Sequence, residues 1–288
     1  LVVGNSLAVT KTIERIRQQD QETQISLLCT ESHLPYDRFL LPSLVASAIK
    51  ETAISPLDQK YFVNHKVDVI ANEQIARISL KRKYVTTESK KQIEFDQLMV
   101  ADFGLLTHLP IKGFQKKGVF NCALLTSIKE LIKFLIHVDT AFVSVTNLQG
   151  FNMACALHAL GKEVVIVSSD EVFLNQILDE ETGALLKQIV EGKGIRVVLD
   201  SCVEEILGDT EVKAVKLGSG KVIAAQMIVF DSMALDLKFL EGDEGYQLIE
   251  DEYFTNNYQN RSWSFGFNVL DGFCIGVTKI PEGGREYL

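Results

Sequence analysis

The chain has 288 residues, of which 47% are hydrophobic and 23% are charged. It therefore has enough apolar material for a buried core, and this excludes a disordered chain. It carries 38 acidic and 29 basic residues, a balance that excludes a general affinity for nucleic acid or for an anionic membrane surface. No apolar run approaches the roughly 18 residues that span a bilayer, so no membrane segment is predicted.

The first hundred residues predict a parallel α/β unit followed by a stretch rich in strands. Residues 1–4 are typical of a short strand that runs into a turn, and Val9, Ile13 and Ile16 have helical spacing. A second strand is predicted over 24–29. Later strands share short alternating or apolar patterns and are predicted over 67–70, 76–80, 84–87 and 95–101.

The second half of the chain repeats this arrangement. A linker is predicted over 105–115, where Pro and Gly interrupt the pattern, and an amphipathic helix over 124–136. The remaining elements are strand 141–145, helix 151–160, strand 163–168, helix 174–191, strand 196–199, a hairpin of 212–217 and 221–223, and strand 227–230. This order favours two α/β units of one general type.

The cysteines and histidines predict neither disulfides nor a metal site. The five cysteines are widely spaced and occupy positions 29, 122, 155, 202 and 274. Their number is odd and none stands in a C-x-x-C pair, which argues against a disulfide framework, a zinc site or a redox-active dithiol. The histidines show no metal-ligand spacing. No secretory leader is predicted, and we expect a cytoplasmic protein.

Both units open with the strand, turn and helix that bind a dinucleotide when the turn carries G-x-G-x-x-G. In the first unit Gly4 is kept, while Ser6 and Val9 take the second and third glycine positions. In the second unit only the third glycine, Gly150, is kept, and the following strand ends on Ser168 where an acid is usual. Taken alone, these motifs favour α/β turns that bind no ligand.

Several stretches of the chain resemble one enzyme family. They are LVVGN at 1–5, HLPYDRFLL at 33–41, LDEETGALL at 178–186, DEYFT at 251–255 and PEGGREY at 281–287. Together with the order of elements, they resemble the FAD- and NAD(P)H-dependent pyridine nucleotide-disulfide oxidoreductases, nearest to the NADH–rubredoxin reductases and to the flavin domain of NADH-dependent nitrite reductases.

The resemblance implies an α/β fold of two nested Rossmann-like three-layer (ββα) domains with a truncated C-terminal piece. An FAD-type domain is expected over 1–108 and 232–258, and an inserted NAD-type domain over 112–231. The start of a C-terminal or interface domain is expected over 259–288. Six residues would hold a cofactor if one binds, namely Gly4, Asn5, Ser6, Glu31, Arg38 and Gly150. Glu31 or Asp37 is the candidate for the adenosine ribose.

The other cofactor motifs of the family are altered here. The A-T-G motif that ends the first FAD unit falls on Ala101, Asp102 and Phe103. Positions on the NAD side that are glycine or acidic in the family fall on Val145, Asn147, Ser168 and Met233. A Gly-Asp pair, whose aspartate binds the flavin ribityl chain, is missing after residues 251–255. Bulky side chains at Val9, Phe103 and Val145 are expected where a phosphate or flavin approaches the backbone, so we predict no FAD and weak or absent NAD(P)H binding.

Two functions compete on this evidence. The first is a non-catalytic structural or regulatory subunit of a redox enzyme complex, with no cofactor, no catalytic residue and no metal. It would bind another subunit, or a second copy of itself, through residues 33–41 and the aromatic stretch 263–273, unless those aromatic residues fill the chain's own core. The second is an active FAD-dependent NAD(P)H oxidoreductase that passes electrons to a small redox partner. A hybrid would hold FAD and receive electrons from a partner.

Overall fold

The computed structural model describes residues 1–55, 57–79, 82–100, 111–175 and 177–231, together with the backbone of 267–270 and 273–276. The helices are α1 (Ala8–Gln19), α2 (Leu41–Val45), α3 (Gln59–Asn64), α4 (Leu125–Phe134), α5 (Leu148–Ala159) and α6 (Glu180–Gly192), with 3-10 turns at Arg38–Leu40, Glu51–Ala53 and Leu135–His137.

The strands of the first half are β1 (Val2–Val3), β2 (Ile25–Leu28), β3 (Val67–Ile70), β4 (Ile75–Ser79), β5 (Tyr84–Thr87), β6 (Gln92–Glu94) and β7 (Leu98–Val100). Those that follow are β8 (Val119–Asn121), β9 (Thr140–Ser144), β10 (Glu163–Val167), β11 (Arg196–Val198), β12 (Val203–Leu207), β13 (Ala214–Leu217), β14 (Val222–Ala224), β15 (Met227–Phe230), β16 (Phe267–Leu270) and β17 (Phe273–Gly276).

The described residues form two compact units. The first contains 1–37, 55, 57–79, 82–100 and strands β16 and β17, and the second contains 38–54, 111–175 and 177–231. The segment 38–54, which the sequence-based boundaries placed in the first domain, packs in the second unit, where α2 lies against α5. Boundaries near 108, 232 and 258 lie outside the described residues, so the proposed domain limits stay predictions.

The first unit has three layers. Its main sheet has the order β16-β17-β7-β1-β2-β3, in which β16 pairs antiparallel with β17 and the other pairs are parallel. Successive side chains of a strand point to opposite faces. Leu27 therefore packs with Ile13 and Phe62 on the helical side, while Leu28 packs with Ile78 and Val85 of the antiparallel sheet β4-β5-β6.

The second unit is built in the same way. A parallel sheet of order β11-β10-β9-β15-β8 lies against the antiparallel sheet β12-β13-β14. The core between them contains Phe142, Val165, Ile206, Val215 and Phe230. The predicted hairpin is confirmed, since β13 and β14 pair antiparallel. Strand β12, which carries two glutamates and an irregular register, was not predicted from the sequence.

Two helix boundaries in the second unit differ from the prediction because of capping side chains. The helix predicted over 151–160 starts earlier, at Leu148, since the side chain of Asn147 accepts hydrogen bonds from the first turn. The helix predicted over 174–191 starts later, after the cap Asp179, and Leu174 has a positive φ of 55° that helical backbone does not adopt.

The predicted α/β class with two Rossmann-like units is confirmed by these layers and sheets. The strand expected over 251–255 lies outside the described residues. The strands that join the first sheet after the second unit are β16 and β17, of which β17 pairs parallel with β7. Most of the aromatic stretch 263–273, including Trp263 and Phe265, also lies outside the described part of the chain.

Candidate functional site

The turn after β1 is the first candidate site. Gly4 has a φ of 143°, which favours glycine, and its N–H donates to the carbonyl oxygen of Leu28 at 3.0 Å. Ser6 forms a parallel bridge with Tyr36, whose N–H donates to the Asn5 carbonyl oxygen at 2.9 Å. The turn is therefore bonded both to the end of β2 and to the segment that follows it.

The buried side chain of Asn5 joins the same two regions. Its amide Nδ2 donates to the His33 carbonyl oxygen at 2.7 Å. Its Oδ1 accepts from the Glu31 N–H at 3.1 Å and from the Thr30 hydroxyl at 3.3 Å. Asn5, which was predicted as a cofactor-binding residue, thus holds the loop after β2 in place.

Glu31 lies where the ribose-binding acid was predicted, and it is 5% exposed. Its Oε1 accepts a hydrogen bond of 2.6 Å from the hydroxyl of the buried Tyr36. The alternative candidate, Asp37, is half-buried. A ribose at this place would share the Glu31 carboxylate with a tyrosine that belongs to the protein. This role of Tyr36 was not predicted from the sequence.

The bulky residues in the two glycine positions are both buried. Val9 is fully buried and packs with Ile13 and Leu27 in the helix-side core of the first unit. Val145 is also buried, and its N–H continues the sheet by donating to the Val167 carbonyl oxygen at 2.8 Å. These two side chains therefore pack within the protein, and their expected effect on a phosphate or flavin stays a prediction. Phe103 lies outside the described residues.

A buried carboxylate occupies the corresponding turn of the second unit. Asp231 directly follows β15 and is 2% exposed. Its Oδ2 accepts from the N–H groups of Thr146 at 2.7 Å and Asn147 at 2.9 Å. Its Oδ1 accepts from the Thr146 hydroxyl at 2.9 Å. Converging backbone N–H groups in such a turn are the donors that hold a phosphate in a dinucleotide site.

Backbone N–H groups in the first turn of α5 also donate their hydrogen bonds within the protein. The Oδ1 of Asn147 accepts from the N–H groups of Gln149 at 2.9 Å and Gly150 at 3.2 Å. The Nδ2 of the same side chain donates to the Asp231 carbonyl oxygen at 3.4 Å. Asn147 stands where the family has a glycine, and here it serves as the N-cap of the helix.

The position of the Asp231 side chain requires a glycine at 150, the one glycine that the second motif keeps. A Cβ atom added at Gly150 would lie 2.6 Å from both Cβ and Cγ of Asp231, and closer still to Oδ2. Real side chains do not approach so closely. The absence of a side chain at Gly150 is therefore explained by the carboxylate that packs against it, and a nucleotide is not needed to explain it.

The electrostatics of this turn are set by desolvation. Burial raises the pKa of Asp231 to about 6, although the hydrogen bonds from Thr146 and Asn147 act in the opposite direction. The thiol of Cys122 is buried beside it, and burial together with the Asp231 charge raises the pKa of that thiol. Cys122 is therefore protonated at neutral pH and is a poor nucleophile.

The predicted site residues are divided between the two units. Gly4, Asn5, Ser6 and Glu31 come together in the first unit. Arg38 is a buried residue of the second unit. Within that unit the Nε2 of Gln149 donates to the carbonyl oxygens of Arg38 at 3.0 Å and Cys122 at 2.9 Å.

The end of β10 has no acid in the ribose position. Ser168 is buried there, and its hydroxyl accepts from the Asp170 N–H at 3.4 Å. Asp231 was missed by the sequence analysis, and the signal that could have found it is an acid directly after the apolar strand 227–230. Over the described residues, no cluster of three His, Cys, Asp or Glu is placed to hold a metal ion. None of the helices in those ranges is long and apolar enough to cross a membrane.

The chain belongs to the pyridine nucleotide-disulphide oxidoreductase family, whose model matches residues 1–232. The resemblance found in the sequence is thereby confirmed at the level of the family. The fold of two Rossmann-like units and the match over most of the chain agree with each other.

Individual relatives are distant and longer. The assimilatory nitrate reductase electron transfer subunit of Bacillus subtilis is 25% identical over 230 residues, which are 80% of this chain and 30% of that protein. The rubredoxin-NAD(+) reductase of Ectopseudomonas oleovorans is 25% identical over 231 residues, 80% of this chain and 60% of that protein. A ferredoxin reductase structure from Rhodopseudomonas palustris has a TM-score of 0.73 at 19% identity, covering 83% of this chain and 60% of that one. The chain thus spans between 30% and 60% of the length of these relatives.

Proposed function

We propose that this chain is a non-catalytic member of its family, a structural or regulatory subunit of a redox enzyme complex that takes no hydride from NAD(P)H. The observation that carries the proposal is the Asp231 carboxylate in the dinucleotide turn of the second unit. A pyrophosphate at such a turn needs free backbone N–H groups. Here Asp231 accepts from those of Thr146 and Asn147.

The negative charge of Asp231 also disfavours the binding of NAD(P)H. With a pKa of about 6, Asp231 is mostly ionised at neutral pH. A buried negative charge repels the phosphates of a dinucleotide, and little solvent is present to screen it. The residues of this turn therefore do not fit NAD(P)H unless Asp231 moves away.

FAD is the second cofactor to consider, and the first unit keeps more of what it needs. FAD, when bound, accepts hydride and passes electrons onward. Gly4 has the backbone conformation that a tight phosphate turn uses, and Glu31 places a carboxylate at the end of β2. These two residues favour a second candidate function, in which FAD is held and a partner protein delivers the electrons. The third candidate function is an active NAD(P)H oxidoreductase, and it requires that the Asp231 side chain move out of the turn.

Two measurements separate these functions. The visible spectrum of the protein purified without added flavin reports bound FAD, and calorimetric titration with NADH reports the second site. We expect no flavin peaks and no NADH binding. Flavin peaks without NADH binding would support the second candidate. Micromolar affinity for NADH would contradict the proposal, and reduction of a bound flavin by NADH would establish the active enzyme.

The proposal also requires a protein partner. The name of the Bacillus subtilis relative describes an electron transfer subunit, and a putidaredoxin reductase with a TM-score of 0.70 was solved as a covalent complex with putidaredoxin. For this chain, a second copy or another subunit would bind through residues 33–41 and the aromatic stretch 263–273. Phe39 in the first segment is 51% exposed, which suits an apolar contact.

The partner prediction is tested by the exposure of Trp263 and by the mass of the protein in solution. We expect acrylamide to quench Trp263 fluorescence in the isolated monomer, and quenching to fall when the partner or second copy binds. A monomer in which Trp263 is already inaccessible to acrylamide would indicate that the aromatic stretch fills the chain's own core.

A further inference from the structure

We infer that Asp231 is an intramolecular ligand that takes the place of a phosphate in the second unit, and that this one side chain decides whether the turn accepts an anion. The inference rests on the proposed function, because it names the residue that keeps the NAD(P)H seat closed. It concerns a residue that the motif positions of the sequence did not include.

The hydrogen bonds of the turn support this role. Both carboxylate oxygens of Asp231 are used, and the three donors are the N–H of Thr146, the N–H of Asn147 and the hydroxyl of Thr146. An anion with at least two oxygens satisfies the same donors. The turn is therefore built for an anionic group, and the protein supplies that group from its own chain.

The backbone explains how Asp231 reaches the turn. Strands β15 and β9 are parallel neighbours, with Phe230 opposite Ser144. The next residue of each strand thus leaves the sheet at the same edge, and Asp231 emerges beside the loop that begins at Val145. Parallel sheets of this class bind their ligands at this edge, beyond the carboxyl ends of the strands.

Asp231 packs closely against Gly150, which shows that the space beside this glycine fits the carboxylate. A Cβ at Gly150 would lie 2.6 Å from the Cβ and Cγ of Asp231. If Asp231 is shortened to alanine, the turn retains its two backbone donors and gains the space of a carboxylate group. If Gly150 is changed to alanine as well, the added methyl group enters that space and still lies 2.6 Å from the Cβ that alanine keeps at position 231.

The test uses inorganic pyrophosphate as the probe and four forms of the chain. They are wild type, Asp231→Ala, the double variant Asp231→Ala with Gly150→Ala, and Asp209→Ala. The last removes an exposed carboxylate from the same unit and so matches the change in net charge. Affinity is measured by calorimetry, and the shift of the unfolding midpoint with pyrophosphate concentration gives a second readout.

We expect Asp231→Ala to bind pyrophosphate at least about tenfold more tightly than wild type, a difference of one decade in Kd. Pyrophosphate should raise the unfolding midpoint of this variant and leave wild type, Asp209→Ala and the double variant nearly unchanged. If Asp231→Ala does not fold, Asp231→Ser provides the same test, because its short side chain also uncovers the two N–H groups.

A folded Asp231→Ala or Asp231→Ser protein that binds pyrophosphate no better than wild type would overturn the inference. That result would leave the proposed function standing, since wild type would still bind no NADH. NADH binding by wild type would overturn the proposed function instead. Equal gains in Asp231→Ala and Asp209→Ala would show a general effect of net charge and would also overturn the inference.

Discussion

The two units carry the same strand, turn and helix, but they hold the turn in different ways. In the first unit the neutral side chain of Asn5 bonds to the loop after β2. In the second unit the charged side chain of Asp231 bonds to the turn itself. Only the second arrangement puts a negative charge where a phosphate would bind. Each glycine motif is altered, but the motif alone does not reveal which contacts the turn makes instead, because those contacts appear only in the folded chain.

The largest effect is expected at Gly150. Gly150→Ala should lower the free energy of unfolding by about 3 kcal/mol, because the new methyl group overlaps Asp231 and the core must shift to admit it. The measurement is denaturant unfolding at neutral pH. In the Asp231→Ala background the overlaps with Cγ and Oδ2 are removed while the one with the retained Cβ stays, so the same change should cost less but not become neutral. A cost that is equal in both backgrounds would show that the carboxylate of Asp231 is not the obstacle.

Gly192→Ala is the matched control for Gly150→Ala. Gly192 is also helical, and no atom of the described part of the chain lies within 4 Å of the Cβ it would gain. Alanine is favoured over glycine in helices by about 1 kcal/mol, so this variant should be unchanged or slightly more stable. A large loss at Gly192 would mean that helical glycines here are sensitive for a reason other than close contact.

The pH dependence of stability sharpens the comparison, because the second turn contains a carboxylate with a raised pKa. The pKa of Asp231 is about 6 in the folded chain, whereas the ordinary pKa of an aspartate is 3.8. The folded state thus holds the proton more tightly, and this contribution to stability is present below pH 4 and lost as the pH rises through 6. A shift of this size corresponds to roughly 3 kcal/mol.

The measurement is the free energy of unfolding of wild type minus that of Asp231→Asn, taken from pH 3 to pH 7. Asparagine cannot titrate, so other groups cancel in the difference. We expect the difference to fall by roughly 3 kcal/mol across this range. A difference that rises with pH would mean that the hydrogen bonds from the turn outweigh desolvation and lower the pKa.

A smaller loss is expected in the first unit. Asn5→Ala removes the side-chain bonds to His33 and Glu31 and leaves buried polar groups without these partners. It should lower the free energy of unfolding by about 2 kcal/mol. Asn64→Ala, at an exposed helical position, is the control and should change stability little. Unlike Asp231→Ala, Asn5→Ala should not increase pyrophosphate binding, and an increase would remove the contrast between the two turns.

The sequence predicted those elements whose signal is local. The strands 67–70, 84–87 and 227–230 have the predicted bounds, since a run of β-branched and apolar residues is enough to mark them. Helix limits were less accurate, because the caps Asn147 and Asp179 act through side-chain hydrogen bonds that a periodic pattern does not show. The packing of residues 38–54 in the second unit depends on contacts of α2 with α5, which are far apart in the chain.

The candidate site was predicted in part. The position of Glu31 at the end of β2 followed from the motif, but its bond to Tyr36 did not. The sequence showed which glycines were missing and suggested Val9 and Val145 as the obstacles. The structure places both valines in packed positions and identifies Asp231 as the group in the turn. A substitution shows that a contact is lost, whereas the contact that replaces it appears only in the folded chain.

The sequence by itself determined the layered α/β fold and the family, because both follow from residue patterns within short segments and from their order. Only the tertiary structure decided what occupies the second turn. Asp231 and Thr146 are separated by 85 positions in the chain. They meet because β15 and β9 are neighbours in a parallel sheet, where the carboxyl ends of adjacent strands lie at one edge.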